Sequence, residues 1–305
     1  MIAEELRAEA PVSEPKSVLF YLRRATEFLT ARGSAAPRLD AEVLLATVLS
    51  TNRVGVYLRF DQSLRPGEVD HYRELVRRRA SGDPVAYLVG KREFWSHELA
   101  VTPDVLIPRP ETELLVELAL AAMKDREGAS RVLDLGTGSG AIAIAISREL
   151  PRACVVAVDV SMAAAAVAHA NAASAGVAER VAVVVADWGS CVRAGARFDV
   201  VVSNPPYVAT EALATLPLEV RREPRLALDG GDDGLAAYRR LVPEAAAMLA
   251  PGGAVLLEVG VGQAEGVAAL LAASGLVDVS WHDDLAGIPR VVAGVAPDEY
   301  ASCAT

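Results

Sequence analysis

The spacing of apolar positions changes along the chain, and each change marks a different kind of structure. From Ser17 the spacing is helical: Val18, Leu22, Ala25 and Leu29 share one face, and Gly33 supplies a stop. A second helix is predicted after Pro37, with Leu44, Leu45, Val48 and Leu49 on its apolar side. A third starts near Pro66, a residue favoured in a first turn, and runs through Val69, Tyr72 and Val76 toward Ser81-Gly82. Together they predict a small helical recognition domain over 15–82. The polar, alanine-rich residues 1–14 show no period and are expected to be a disordered lead-in.

Residues 83–107 break the helical pattern. Pro84-Val85-Ala86-Tyr87-Leu88-Val89-Gly90, then Glu93-Phe94-Trp95, then Leu99-Ala100-Val101 read as short strands around turns, a β-hairpin linker. Two prolines then hold Leu106-Ile107-Pro108-Arg109-Pro110 extended before a helix over 112–123. Glu111 and Glu113 sit in its first turn, where carboxylates suit the helix dipole. From Arg131 apolar strand candidates at 132–135, 154–160, 181–186, 198–203, 254–259, 277–281 and 291–295 alternate with helical stretches such as 141–149 and 161–175. This alternation predicts an α/β domain over 108–305: a seven-stranded parallel sheet covered on both faces, binding its ligands at the carboxyl ends of the strands.

Composition narrows the chemistry. With 52% hydrophobic and 23% charged residues, no apolar run long enough for a membrane span and no signal-peptide pattern at Met1-Ile2-Ala3-Glu4-Glu5, the chain is expected in the cytoplasm, without a membrane partner. Cys154, Cys191 and Cys303, and His71, His97, His169 and His282, are too dispersed for a disulfide framework or ligand set, so no metal is expected. The net charge of −10 divides into +2 over 1–80 and −12 over 81–305, which argues against direct nucleic-acid binding. Arg77-Arg78-Arg79 reads as a solvated helix face.

Three strand ends carry candidate ligand groups. Val132-Leu133-Asp134-Leu135 enters Gly136-Thr137-Gly138-Ser139-Gly140 and then a helix, the context in which glycines let a ligand approach the backbone at a helix N-terminus. The next strand ends at Asp159, placed to take a ribose diol, and the third at Asp187-Trp188, an acid and a ring beside a purine. Each of these acids, alone, also reads as a helix cap. Gly136, Gly138 and Ala141 formally allow a dinucleotide, while the extra Gly140 and a preceding Asp134 suit the amino-acid part of S-adenosylmethionine.

A fourth strand, Val200-Val201-Val202-Ser203, stops at Asn204-Pro205-Pro206-Tyr207, since prolines cannot extend a ladder. The pattern fits a plain strand followed by a proline turn. It also fits a rigid reader of a planar NH2 group: Asn204 Oδ1 and the Pro205 carbonyl accept its protons, while Tyr207 and the Pro206 ring sandwich it.

Asp134-Leu135-Gly136-Thr137-Gly138-Ser139-Gly140 with Asn204-Pro205-Pro206-Tyr207 resembles class I S-adenosylmethionine methyltransferases acting on planar nitrogens. Tyr87-Leu88-Val89-Gly90, Arg92-Glu93-Phe94-Trp95, Ile107-Pro108-Arg109-Pro110-Glu111-Thr112-Glu113 and Glu223-Pro224-Arg225 are similar to the glutamine-N5 methyltransferases of peptide chain release factors. The resemblance implies a helical N-terminal domain, a hairpin linker and a seven-stranded Rossmann-like domain. It also implies methyl transfer to the glutamine of a class 1 release factor's Gly-Gly-Gln loop, with S-adenosylhomocysteine as product. Asp134, the Gly136–Gly140 loop, Asp159, Asp187, Trp188 and Asn204 would then hold the cofactor, and Arg109 and the Asn204–Tyr207 tip the substrate. The alanine-rich stretch 161–175 departs from the family's more polar sequence. Rival readings are a nucleic-acid amino-group methyltransferase, which calls for a basic stripe; a nicotinamide-dependent dehydrogenase, which calls for a hydride-transfer constellation; and a non-enzymatic S-adenosylmethionine sensor.

Overall fold

The computed structural model describes residues 16–124 and 128–298, so the lead-in expected at 1–14 and Cys303 lie outside the described residues. The chain divides into two compact units. The described residues up to Gly90 form one with Pro217–Arg222, and those from Lys91 to Leu216 and from Glu223 onward form the other.

The first unit is helical: α1 (Val18–Ala31), α2 (Pro37–Val48), α3 (Arg53–Tyr57), α4 (Pro66–Ala80) and α5 (Val85–Val89). Ser17 caps α1 by accepting from the Phe20 amide, and Asn52 caps α3 through the Gly55 amide. Leu22, Leu29, Leu44, Leu45, Tyr72, Leu75 and Val76 close the core, each such burial contributing about 1.5–3 kcal/mol. Tyr72 donates its buried hydroxyl to the Ala41 carbonyl at 2.9 Å. Buried Glu42 takes Arg38, Arg53 and Tyr57, and Asp40 pairs with Arg79 at 2.7 Å where both side chains are only 9% exposed. Of the expected arginine face, Arg79 is therefore inside, while Arg77 and Arg78 are solvated.

The strand expected at 84–90 is a helix instead. Pro84 starts α5, Gly90 ends it in the left-handed conformation, and Val85, Leu88 and Val89 pack on the helical core. Packing on that core overrides the strand preference of its β-branched residues. The hairpin itself is confined to β1 (Lys91–Phe94) and β2 (His97–Ala100), paired antiparallel.

The second unit has the strand order β5-β4-β3-β6-β7-β9-β8, built from β3 (Arg131–Leu135), β4 (Cys154–Asp159), β5 (Val181–Val185), β6 (Phe198–Ser203), β7 (Leu249–Glu258), β8 (Val277–Asp283) and β9 (Pro289–Val295). Between them run α6 (Glu113–Met123), α7 (Ala141–Glu149), α8 (Met162–Ser174), α9 (Ala236–Met248) and α10 (Ala264–Ala273). Two apolar clusters cover the sheet, one around Leu115, Val116, Ile144 and Ile146, the other around Tyr238, Leu241, Val267 and Leu271. The expected all-parallel arrangement is corrected at one edge, where β9 runs antiparallel to both β7 and β8. Residues 284–288 are too short a link for a parallel crossover, so β8 and β9 form a hairpin.

Strands β4 and β5 lie to one side of β3 and β6 and β7 to the other, so the order reverses between β3 and β6. That reversal opens a crevice at the strands' carboxyl ends, where the glycine turn and Asn204 emerge.

Candidate active site

The crevice holds a cavity of about 480 Å³, within the range of small-molecule sites. Its lining joins Gly136, Thr137, Gly138 and Ser139 after β3, Asp159 after β4, Asp187 and Trp188 after β5, and Asn204 and Pro206 after β6. Residues remote in sequence thus face one space. Pro108, Arg109 and Thr112 line it as well.

The glycine turn is held from both sides. The Gly136 and Thr137 amides donate to the Val158 carbonyl, and the Gly138 amide donates to Asp159 Oδ2 at 2.9 Å. Asp159 Oδ1 accepts from the Ser161 amide, which fixes its carboxylate at the cavity wall. Gly140 has φ +82, and a Cβ there would lie 3.3 Å from the Cα of Ala168 on α8. The alanine-rich helix is therefore what lets the turn come so close. Asn171 on the same helix donates to the Ser139 carbonyl and exchanges two hydrogen bonds with the backbone of Ala100, tying turn to hairpin.

Asp134, next to last in β3, is fully buried and accepts from Thr137 Oγ1 at 2.7 Å, which supports the turn, while its Oδ1 has no hydrogen-bond partner among the described residues. Burial pushes its carboxyl up to about 7 against the opposing hydrogen bonds. Asp187 and Trp188 do line the cavity. Asp187 pairs with Arg240 at 2.7 Å on the surface, and Trp188, at φ +46, turns its ring toward Gly136.

At the β6 tip, Ser203 Oγ donates to the Leu135 carbonyl at 2.6 Å, locking the end of β6 to the end of β3. Asn204 follows and donates its Nδ2 to Thr112 Oγ1 at 3.2 Å. Thr112 in turn donates to Glu258 Oε2 at 2.6 Å, in a buried setting at the end of β7. Burial, reinforced by nearby Glu111, pushes the Glu258 carboxyl up to about 7. Pro205 is buried, and Tyr207 packs against the core around Tyr238 rather than lining the cavity. Burial pushes the Tyr207 hydroxyl up to about 12.

Arg109 lines the cavity anchored to Glu223, whose other oxygen accepts from the Ile107 amide at 3.0 Å. Glu223, Glu258, Thr112, Ser203 and Asn171 are the site's supporting residues that sequence reasoning missed as such. Glu223 and Thr112 stood in motifs shared with the family, and Glu258 is an acid near the end of an apolar strand.

The residues present suit S-adenosylmethionine. Backbone amides and positive-φ glycines at a helix N-terminus, a carboxylate at the next strand end and an indole at the third supply donors, a diol acceptor and an aromatic wall in one cavity.

Comparison with known proteins places the chain in a family. The PrmC N-terminal domain model matches residues 21–90, and the methyltransferase small domain model matches 111–219. A "Release factor glutamine methyltransferase" of Bordetella pertussis (strain Tohama I) is 47% identical over 258 residues, covering 85% of this chain and 94% of the relative. One from Burkholderia pseudomallei (strain K96243) is 46% identical over 277 residues, covering 90% and 97%. Among solved structures, the hMettl16 catalytic domain superposes with a TM-score of 0.55 at 16% identity, covering 66% of this chain and 76% of that one, a likeness of fold alone. With relatives this similar along nearly their whole length, the chain belongs to the release factor glutamine methyltransferase family.

Proposed function

We propose that this protein transfers a methyl group from S-adenosylmethionine to the side-chain amide nitrogen of the glutamine in the Gly-Gly-Gln motif of class 1 release factors, in the cytoplasm and without a metal. The observation that carries the reading is Asn204: a neutral amide reader held across one cavity from the glycine turn, its NH2 already engaged by Thr112. Names of relatives support the substrate class.

A carboxamide nitrogen is a poor nucleophile because its lone pair is delocalised into the carbonyl. When bound, S-adenosylmethionine supplies an electrophilic methyl. The chain supplies placement. Asn204 Oδ1 and the Pro205 carbonyl take the substrate N–H protons, which turns the lone pair toward the methyl and favours pyramidalisation. Arg109 guides the substrate into the mouth, and Asp159, Trp188 and the glycine turn hold the donor. Such positioning contributes on the order of 7–11 kcal/mol; as the N–CH3 bond forms the S–CH3 bond breaks, the thioether product leaves, and the nitrogen sheds one of its two protons to water.

Asn204→Ala tests the reading. Methylation should be lost while calorimetric affinity for S-adenosylmethionine stays within a few-fold. Loss of cofactor binding instead would move Asn204 out of substrate positioning.

A further inference from the structure

A side-chain amide presents either an acceptor or two donors, depending on which way it is turned, and a reader of a substrate NH2 works only with the oxygen outward. Something must choose between the two orientations. In this structure the choice is made behind Asn204. Thr112 has one hydroxyl proton, and it is given to Glu258 Oε2 at 2.6 Å. Its oxygen can then only accept, and the Asn204 group facing it at 3.2 Å is the NH2. Turned over, Asn204 Oδ1 would meet an oxygen with no proton left to offer.

We propose that Glu258, acting through the Thr112 hydroxyl, is a positioning residue that holds the Asn204 amide with its oxygen toward the substrate. The proposal rests on the reading of Asn204 given above. Both members are buried, Glu258 at 2% and Thr112 at 4% exposure, with Thr112 at the cavity wall. The charged and titratable groups acting on Glu258 are Glu111 and Arg290, with Tyr207 and Tyr238 coupled to it. Deprotonated, Glu258 has only acceptors, and the relay has one polarity. Protonated, it can give its own proton to Thr112 Oγ1, which frees the threonine proton for Asn204 Oδ1 and turns the amide over. Turnover therefore rises with pH through the carboxyl's titration, near about 7.

The test is steady-state methylation of a release factor by the full chain, across pH, with cofactor affinity measured by calorimetry. Thr112→Val removes the hydroxyl at constant shape, and kcat should fall about ten- to a hundredfold with S-adenosylmethionine affinity within about twofold. Thr112→Ser should recover most of that loss. Glu258→Gln keeps an acceptor oxygen and should remain active but lose the rise in rate near neutrality, whereas Glu258→Met should behave like Thr112→Val. Wild-type kcat, KM and pH profile in Thr112→Val and Glu258→Gln would overturn the relay while leaving the role of Asn204 intact. Failure of the wild-type enzyme to methylate the release factor at all would instead sink the parent reading. If Glu258→Met does not fold, Thr112→Val decides alone.

Discussion

Two carboxyls buried inside the sheet make the second unit's stability depend on pH in an unusual direction. Asp134 and Glu258 ordinarily titrate at 3.8 and 4.5, and burial pushes both up to about 7 in the folded chain. Between those values the folded state keeps protons that the unfolded state has released, so stability falls as pH rises, and the loss is complete above about 7. From about pH 5 to about pH 8 each group contributes a loss of about 2–3 kcal/mol, about 5 kcal/mol together. His97, pushed down by burial, opposes the trend only below its ordinary 6.5. The carboxylates held below their ordinary values by arginines, such as Asp233 at about 2, act at more acidic pH. Tryptophan fluorescence isolates the right unit, since Trp95, Trp188 and Trp281 all belong to it. With a urea slope of about 3 kcal/mol per molar, the midpoint should drop by roughly 1.5–2 M over that interval. Glu258→Gln, neutral throughout, should about halve the drop. A midpoint that is flat or climbs between those two conditions refutes the burial argument, and an unchanged slope in Glu258→Gln refutes the share assigned to Glu258.

Other outcomes follow from named contacts. Asp159→Ala removes the acceptor of the Gly138 and Ser161 amides and the proposed ribose partner, so calorimetry should show S-adenosylmethionine binding weakened about tenfold or more; unchanged affinity would sink the ribose assignment. Glu223→Ala releases both the Ile107 amide and the Arg109 guanidinium, and steady-state kinetics should show KM for the release factor raised with cofactor affinity kept. Asp40→Ala leaves Arg79 buried with Glu219 as its remaining carboxylate partner, which should cost about 3 kcal/mol in the helical unit, read as an earlier far-ultraviolet melt that tryptophan fluorescence does not follow.

Much of this architecture can be read in the chain because the physics behind it is local. Helical spacing gives Val18, Leu22 and Leu29 their shared face, and apolar runs ending in glycine, aspartate or proline mark the strand ends that meet at the crevice. Where reading fails, the deciding forces come from distant residues. Val85–Val89 looks like strand until the helical core claims it, and β9 looks parallel until the short link from β8 is counted. The full burial of Asp134 and the packing of Tyr207 against the core around Tyr238 are likewise set by residues far away in the chain. The partners that orient the site, Glu258 on Thr112 and Glu223 on Arg109, are separated by more than a hundred residues, beyond any spacing rule.

The central claim is that the Asn204 tip presents a protein glutamine amide to a methyl donor in the crevice. Full-length protein incubated with labelled S-adenosylmethionine, a class 1 release factor and total RNA, followed by tryptic mass spectrometry, tests it most directly. One added methyl is expected on the glutamine of the Gly-Gly-Gln peptide, absent with Asn204→Ala. Label on RNA with an unmodified peptide would contradict it.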